Sequence, residues 1–571
     1  MKTLLKTAIP LLLVVSGATS CSKKDGAGEA STKAAVLTHS LLDEDLLKEI
    51  PNATAGFVVM DFAGEGYKKF KESPWANDVQ GLSAIKAAVE ELESQGASDD
   101  QVKLARTILD SLQKLGLVSP DGKAQVEKVF SKSVGFVETR AGEQVPVSFG
   151  VFLSAAAGTN LGDRLPVLKQ IATDAGLTVA DETFGAARGF SASLPKGPEG
   201  DSLPLALYVA ATPERLGLTL SKSSLEPLFT DASTKGLETL RALPEFKKAE
   251  EAVRASEPPL SFAFVSLKSL SPALESLNEG SEPESKIDFK QNPLEAIAIN
   301  QGFSGQMVTL AGVAVSPVTE TQKTVISAFA NSSLPGSAFK LPTKTAFSLS
   351  LDAKVLGKLE SVFKSLPDPS VAVAVEQLKN IQGITLGLRP GDGTSPAPDL
   401  FISLESASRD QVASVVQDGL GMGMMAAGQQ AQWLSKEIDG SPTKYFMTMI
   451  GVGVYVSSPK GTNTVLVGTS EGVIKDALTS APAQSVETKL TQSRLAPASI
   501  GALYLNFDQL ATLIDSVKST VAMFAGPNPE LDKALDTSKL KTFGVGVGSL
   551  SYADGVFKLQ SSFERQALAT K

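Results

Sequence analysis

Two stretches of the chain share one pattern of hydrophobic and polar positions. "TAGFVVMD" (54–61) and "TAFSLSLD" (345–352) are apolar runs of strand length, each preceded by a proline (Pro51, Pro342) and closed by an aspartate (Asp61, Asp352). In the second, Phe347, Leu349 and Leu351 alternate with Ser348 and Ser350, the period of a strand with one apolar and one polar face. The proline sets an extended start and is excluded from the ladder itself. The aspartate opens a helix-like pattern, clearest in "DAKVLGKLESVF" (352–363) and in the related "DQLATLIDSV" after Phe507, and reads as an N-cap.

The shared motif Pro-x-x-Thr-Ala-x5-Asp recurs 291 residues further on, and other stretches follow in the same order. Arg140-Ala-Gly142-Glu143 matches Arg389-Pro-Gly391-Asp392. Ser193-Leu-Pro195-Lys196-Gly197 matches Ser457-Ser-Pro459-Lys460-Gly461. "SFAFVSLKSL" (261–270) matches "IGALYLNFDQL" (500–510), and "SGQMVTLAGVAV" (304–315) matches "GVGVGSLSYADGVFKL" (544–559). Five ordered matches indicate a tandem duplication, with a first lobe over 46–338 and a second over 339–571. The Arg-x-Gly stretches lie between strand-like runs, where glycine suits a hairpin turn. Leu161, Leu165, Leu168 and Ile171 in one copy, and Val412, Val415 and Val416 in the other, then predict a helix. Antiparallel hairpins interrupted by helices make an α+β fold: two tandem pseudo-repeat lobes of antiparallel sheet with packed helices.

The copies differ in length. Asp61 and Arg140 are 79 residues apart and Asp352 and Arg389 are 37 apart, so the first copy carries 42 more. The surplus reads as a helical hairpin at about 80–120. Leu82, Ile85, Val89 and Leu92 form a stripe ending before Gly96, and a Ser98/Gln101 capping box precedes Val102, Ile108, Leu109, Leu112 and Leu115, with Gly116 as the stop. It either covers a sheet face or docks a partner.

The N-terminus carries a different signal. Lys2 and Lys6 precede the apolar run Ala8–Val15 and the small residues "SGATSC", the form of a secretory signal over 1–20. Ala18-Thr19-Ser20-Cys21 resembles the lipobox of bacterial lipoproteins, whose cysteine is lipidated and becomes the first mature residue. Cys21 is also the chain's single cysteine. The resemblance implies export, a lipid anchor at Cys21 and, with Ser22 following it, the outer membrane rather than the inner. Residues 21–45 read as the lipidated terminus and a Gly/Ala/Ser/Lys-rich tether. Loss of residues 1–20 removes Lys2 and Lys6, which leaves 51 basic against 62 acidic residues, a formal −11. An acidic body without a basic cluster argues against nucleic acid. The layout of the body resembles a class of bacterial envelope proteins of unassigned activity, built from duplicated α+β units that open with a Leu-Pro-x-x-Ala strand. That resemblance implies a fold and no catalytic residues.

Composition narrows the chemistry. The single histidine, His39, falls in the tether and the single cysteine at the lipid, so histidine- or cysteine-based catalysis and histidine-ligated zinc are unavailable to the body. Ser-x-x-Lys pairs lack the Lys-Thr-Gly partner of penicillin-binding enzymes. Asp61 and Asp352 occupy matching places, but without the Asp-Thr/Ser-Gly turn of aspartic proteases; capping explains both. No cofactor fingerprint is present. One stretch suggests binding. "GLGMGMMAAGQQAQWLS" (419–435) is uncharged, its helical stripe includes the small residues Gly419, Gly423 and Ala427, and five of nine methionines fall between Met422 and Met449. Met422, Met424, Met425, Trp433, Tyr445 and Phe446 are the candidate ligand residues, since methionine makes adaptable apolar surfaces; a helix packed on its own sheet is the plainer reading. The expectation is a lipid-anchored, non-catalytic envelope module for an apolar or peptide ligand, needing no cofactor. The alternatives are a scaffold for an envelope protein partner and a carboxylate-dependent hydrolase.

Overall fold

A computed structural model of the chain describes residues 50–565 apart from internal segments, the longest being 74–109 and 356–379. The signal, Cys21, the tether with His39 and most of the predicted helical hairpin lie outside the described residues. The chain divides into two compact units, Met1–Val315 and Ser316–Lys571.

The first unit contains strands β1 (Thr54–Asp61), β2 (Phe130–Thr139), β3 (Val147–Ala155), β4 (Thr178–Phe184), β5 (Ala187–Ser193), β6 (Ala206–Ala211), β7 (Arg215–Thr219), β8 (Pro259–Ser266), β9 (Leu294–Phe303) and β10 (Met307–Val315). Every pairing is antiparallel, in the order β10-β9-β8-β1-β2-β3-β7-β6-β5-β4. The second unit contains β11 (Phe347–Asp352), β12 (Gly383–Arg389), β13 (Asp399–Glu405), β14 (Leu434–Ile438), β15 (Ser441–Met447), β16 (Gly453–Ser457), β17 (Thr464–Gly468), β18 (Gly501–Asn506), β19 (Phe543–Ala553) and β20 (Val556–Arg565). Its order, β20-β19-β18-β11-β12-β13-β17-β16-β15-β14, is the first order with ten added to each strand. Helices fall in matching gaps: Leu165–Asp174 and Arg409–Ala426 after the third strand, Leu267–Asn278 and Phe507–Ala525 after the eighth. Each unit is α+β, and the two are repeats.

Local chemistry sets the element ends. Asp439-Gly440 and Asp554-Gly555 have positive φ at both residues, the two-residue loop that matches strand twist in the β14–β15 and β19–β20 hairpins. Thr319 and Gln322 form a reciprocal capping box on the helix Glu320–Phe329. Asn506 and Ser266, matching last residues of β18 and β8, accept the amides of Gln509 and Ser269 and turn each strand into its helix.

The ladders also correct three of the sequence matches. Gly56 pairs with Val137, and Phe347, 291 residues on, pairs with Leu388. Glu138, two residues before Arg140, therefore stands in the ladder position of Arg389, which a comparison of short motifs does not show. Ser193 ends β5, whereas Ser457 ends β16, the counterpart of β6, so those two turns are not equivalent. Gly544–Ala553 belongs to β19, the counterpart of β9, and only the hairpin that follows corresponds to 304–315.

Candidate functional site

The six predicted ligand residues do not converge. Trp433 and Phe446 meet edge to face at 4.8 Å, and Trp433 packs with Val412, Val416 and Leu420 of the helix Arg409–Ala426. Tyr445 lies on the opposite face of the same strands, stacked at 5.5 Å on Tyr455, with the Lys436 Nζ 4.8 Å from one ring centre and 4.9 Å from the other. Lys436 is ion-paired to Glu471. Met422 and Met425 are exposed and Met424 is half-buried. Side chains built at Gly419 or Gly423 would meet open space, so these glycines bring no neighbouring backbone close. Cross-strand pairing places Tyr445 opposite Leu434 and Tyr455, away from the tryptophan, which a linear stripe could not reveal.

The matching aspartates bind backbone amides. Asp61 Oδ1 accepts the amides of Ala63 and Gly64. Asp352 Oδ1 accepts Lys354 N, and its Oδ2 accepts Ser333 N. Both satisfy backbone donors just past the end of a strand; Asp61 is not the expected N-cap, since the helix Glu65–Glu72 is capped at Gly64, three residues on.

The alternation in β11 is inverted relative to expectation, and this exposes a site that the sequence reading missed. Ser348 and Ser350 are buried, and Phe347, Leu349 and Leu351 are half-buried to exposed. The same holds in β12, where Thr385 is buried beside Ile384, Leu386 and Leu388, and in β13, where Ser403 is buried beside Leu400 and Ile402. Direct pairing puts Ser350, Thr385 and Ser403 in one row, with a 3.0 Å hydrogen bond between the first two. The aliphatic side chains share the other face of the sheet, where Ile384, Ile402 and the buried Leu404 join one core cluster with Val412, Val416 and Leu420 of the helix Arg409–Ala426. There Leu351, Leu386 and Leu400 stay 40, 37 and 38 % exposed. Leu503 and Leu505 of β18 continue that face, paired with Leu349 and Phe347. Large apolar residues left open on adjacent strands mark a binding surface more strongly than scattered ones do.

The first unit holds different residues in the matching rows. The counterparts of Ser348, Ser350, Thr385 and Ser403 are Phe57, Val59, Val134 and Phe152, all buried. With Phe262 and Phe264 they face Phe246 of the helix Pro244–Ala252, whose ring lies 4.6 Å from that of Phe264. On the reverse face, Leu112, Leu115, Leu117 and Val118 belong to the same buried cluster as Val151 and Leu153. The described end of the predicted hairpin thus covers a sheet face.

A buried charged group sits at the end of β2 and of β12, with opposite sign. In the second unit Arg389 Nε donates to Asp399 at 2.9 Å and its Nη1 binds Asp476, which accepts the Thr343 hydroxyl at 2.6 Å. In the first, Glu138 accepts Ser224 and lies 3.6 Å from Arg140, whose Nη2 donates to the Ser224 hydroxyl at 2.7 Å. Burial pushes the Tyr504 phenol up, partly offset by its hydrogen bond with Asn506.

No helix among the described residues is long and apolar enough to cross a membrane, which says nothing of strands. No protein-family model matches the chain, and no curated protein matches it. Among solved structures, TP0453 in crystal form I is similar at 10 % identity, over 52 % of this chain and 88 % of that one, with a TM-score of 0.21. Crystal form III gives 9 % identity, 51 % and 88 % coverage, and a TM-score of 0.20.

Proposed function

We propose that this chain is a lipid-anchored protein of the bacterial cell envelope, held through Cys21, that works as a non-catalytic binding module for an apolar ligand. The observation that carries the binding reading is the file of open leucines, Leu351, Leu386 and Leu400, on the aliphatic face of β11, β12 and β13, beside the part of that face where Ile384, Ile402 and Leu404 share a core with the helix Arg409–Ala426. A sheet ordinarily buries its apolar side chains and leaves its hydroxyls wet, whereas here Ser348, Ser350 and Thr385 are buried and the leucines behind them are open. Such a face gains most when an apolar partner covers it. Two further observations favour binding over the alternatives. Asp61 and Asp352 are engaged by backbone amides past their strand ends, a use that a shared-proton pair does not require. Residues 112–118 are packed into the first unit's own core, where they offer little to a docking partner.

Native mass spectrometry of the full lipoprotein, gently extracted from its own envelope, tests the reading. We expect a mass beyond the lipid-modified chain that is lost on collisional activation. A chain that emerges empty from every mild extraction, and takes up no apolar compound afterwards, overturns it.

A further inference from the structure

Taking the binding reading as its premise, we propose that the aliphatic face of the second unit seats one acyl chain of a membrane phospholipid along the diagonal Leu400–Leu386–Leu351. The ladder sets that line. Leu400 pairs with Leu388, two residues from Leu386, and Leu351 pairs with Ile384, two residues from Leu386 on the other side. The three most exposed side chains of the three strands therefore form a single file, with steps of about 8 Å from strand spacing and rise. Beyond Leu351 the row crosses Gly501, where the missing side chain leaves room that Leu351 leans over, and reaches Leu550 and the exposed Leu559. A narrow file of open leucines, bordered on one side by Ile384 and Ile402 in the core cluster of the helix Arg409–Ala426 and on the other by half-buried Leu388 and Leu349, suits an elongated and flexible occupant.

The chemistry of the face selects hydrocarbon. Every position of β11, β12 and β13 on this side is a leucine, isoleucine or phenylalanine, and the β18 positions are Gly501, Leu503 and Leu505. A peptide lying there would bury its amides against a surface without side-chain donors or acceptors, and unpaired buried amides are costly. Its alternative, pairing with a strand edge, is closed on this face because β11, β12 and β13 are each paired on both sides. A free fatty acid would bring a carboxylate to a face whose strand positions carry no cation. A phospholipid leaves its charged headgroup in water and needs only the hydrocarbon to be received. Arg389, Asp399 and Asp352, the charged side chains of these strands nearest the file, belong to the opposite, buried face.

Photolabelling tests the assignment. The full-length protein is placed with phosphatidylethanolamine vesicles in which part of the lipid carries a mid-chain diazirine, irradiated, and digested for label mapping. Label is expected on the peptides holding Leu351, Leu386 and Leu400, falling about tenfold in Leu386→Asp. Leu400→Asn is the second variant should Leu386→Asp melt early; both positions are open enough to tolerate a polar group. Label confined to the N-terminal peptide and the helix Arg409–Ala426, or label unchanged in a folded variant, overturns the proposal. So does a free fatty acid probe that labels these strands while the phospholipid does not. If the extracted protein carries a ligand that is not a lipid and that shields β11–β13 from hydrogen exchange, this assignment fails and the binding reading stands. An empty and unlabelled protein removes both.

Discussion

In the first unit, the row Phe57–Phe136–Gly150 puts two rings against a glycine on the face that the helix Pro244–Ala252 covers; in the second, the same row reads Ser348–Gly387–Phe401. The ring has changed strands. A Cβ on Gly150 would lie 2.1 Å from the Phe136 ring, and a Cβ on Gly387 would lie 2.1 Å from the Phe401 ring. Each glycine exists to admit the ring from its neighbour, so the pair conserves volume and exchanges which strand supplies it. Around this pair the two units diverge. The first fills the covered face with phenylalanine and valine. The second fills it with serine, threonine and glycine, and carries its bulk on the reverse face as leucine. One strand order therefore supports two distributions of apolar volume: the second leaves Leu351, Leu386 and Leu400 open in one file, whereas the first leaves Phe149 open at the position matching Leu400.

The compensating pair is the most direct place to break this comparison. Phe136→Gly removes a ring that stacks on Phe152 at 4.8 Å and leaves two glycines facing each other. We expect a loss of about 4–5 kcal/mol, from the cavity and the added backbone freedom. Phe136→Gly combined with Gly150→Phe imports the second unit's arrangement and is expected to recover more than half of that loss. Denaturant unfolding, with hydrogen exchange to localise the effect to β1–β3, measures both. A double variant as unstable as the sum of its parts would show that the rings are not interchangeable across the strands.

The buried charges give the next largest effect. Arg389→Met removes the guanidinium from Asp399, whose side chain is 2 % exposed, and should cost the second unit about 3 kcal/mol. Adding Asp399→Ser, the residue that the first unit has at the matching position as Ser148, removes the buried charge and should restore most of the stability. Recovery would show that the second unit's ion pair sets specificity more than stability. An unrecovered double variant would mean that Asp476 and Thr343 also depend on the guanidinium.

These features differ in how far the chain alone discloses them. The duplication and the α+β class are legible because strand-length runs, turn residues and caps are local signals, and Asp61 and Asp352 mark the same strand end in both copies. Register is not local. The regular ladders from Gly56 to Asp61 and from Phe347 to Asp352 set Glu138, not Arg140, in the place of Arg389, and nothing in either stretch announces it. The direction of burial in β11 is also invisible from within the strand. Alternation separates Leu349 from Ser350, but which face is covered depends on helices distant in sequence. The placement of the methionine-rich segment is hidden for the same reason: Trp433 and Tyr445 are close along the chain and on opposite faces of one sheet. The open leucines could have been suspected from one comparison, that Phe57 and Val59 are matched by serines while Val58 and Met60 are matched by leucines.

The smallest expected effect isolates the hydroxyl side of that exchange. Ser348 is 1 % exposed, and its Oγ has no hydrogen-bond partner in the structure, unlike Ser350, which shares a bond with Thr385. It pairs directly with Gly387 and Tyr504, on the side where the phenol is itself withdrawn from water. A buried, unsatisfied hydroxyl costs stability that a methyl group of similar size does not. Ser348→Ala should therefore stabilise the second unit by about 1 kcal/mol, read as a higher denaturation midpoint at constant slope. Ser350→Ala should do the opposite by a comparable amount, since it removes the hydrogen bond that Ser350 shares with Thr385. Ser348→Phe, the first unit's residue, should lose stability by overpacking, because Phe401 already fills the space beside it at Gly387. If Ser348→Ala proved destabilising instead, the hydroxyl would have to be bonded in solution, and the covered face of the second unit would be a functional polar surface rather than the by-product of moving its leucines to the other side.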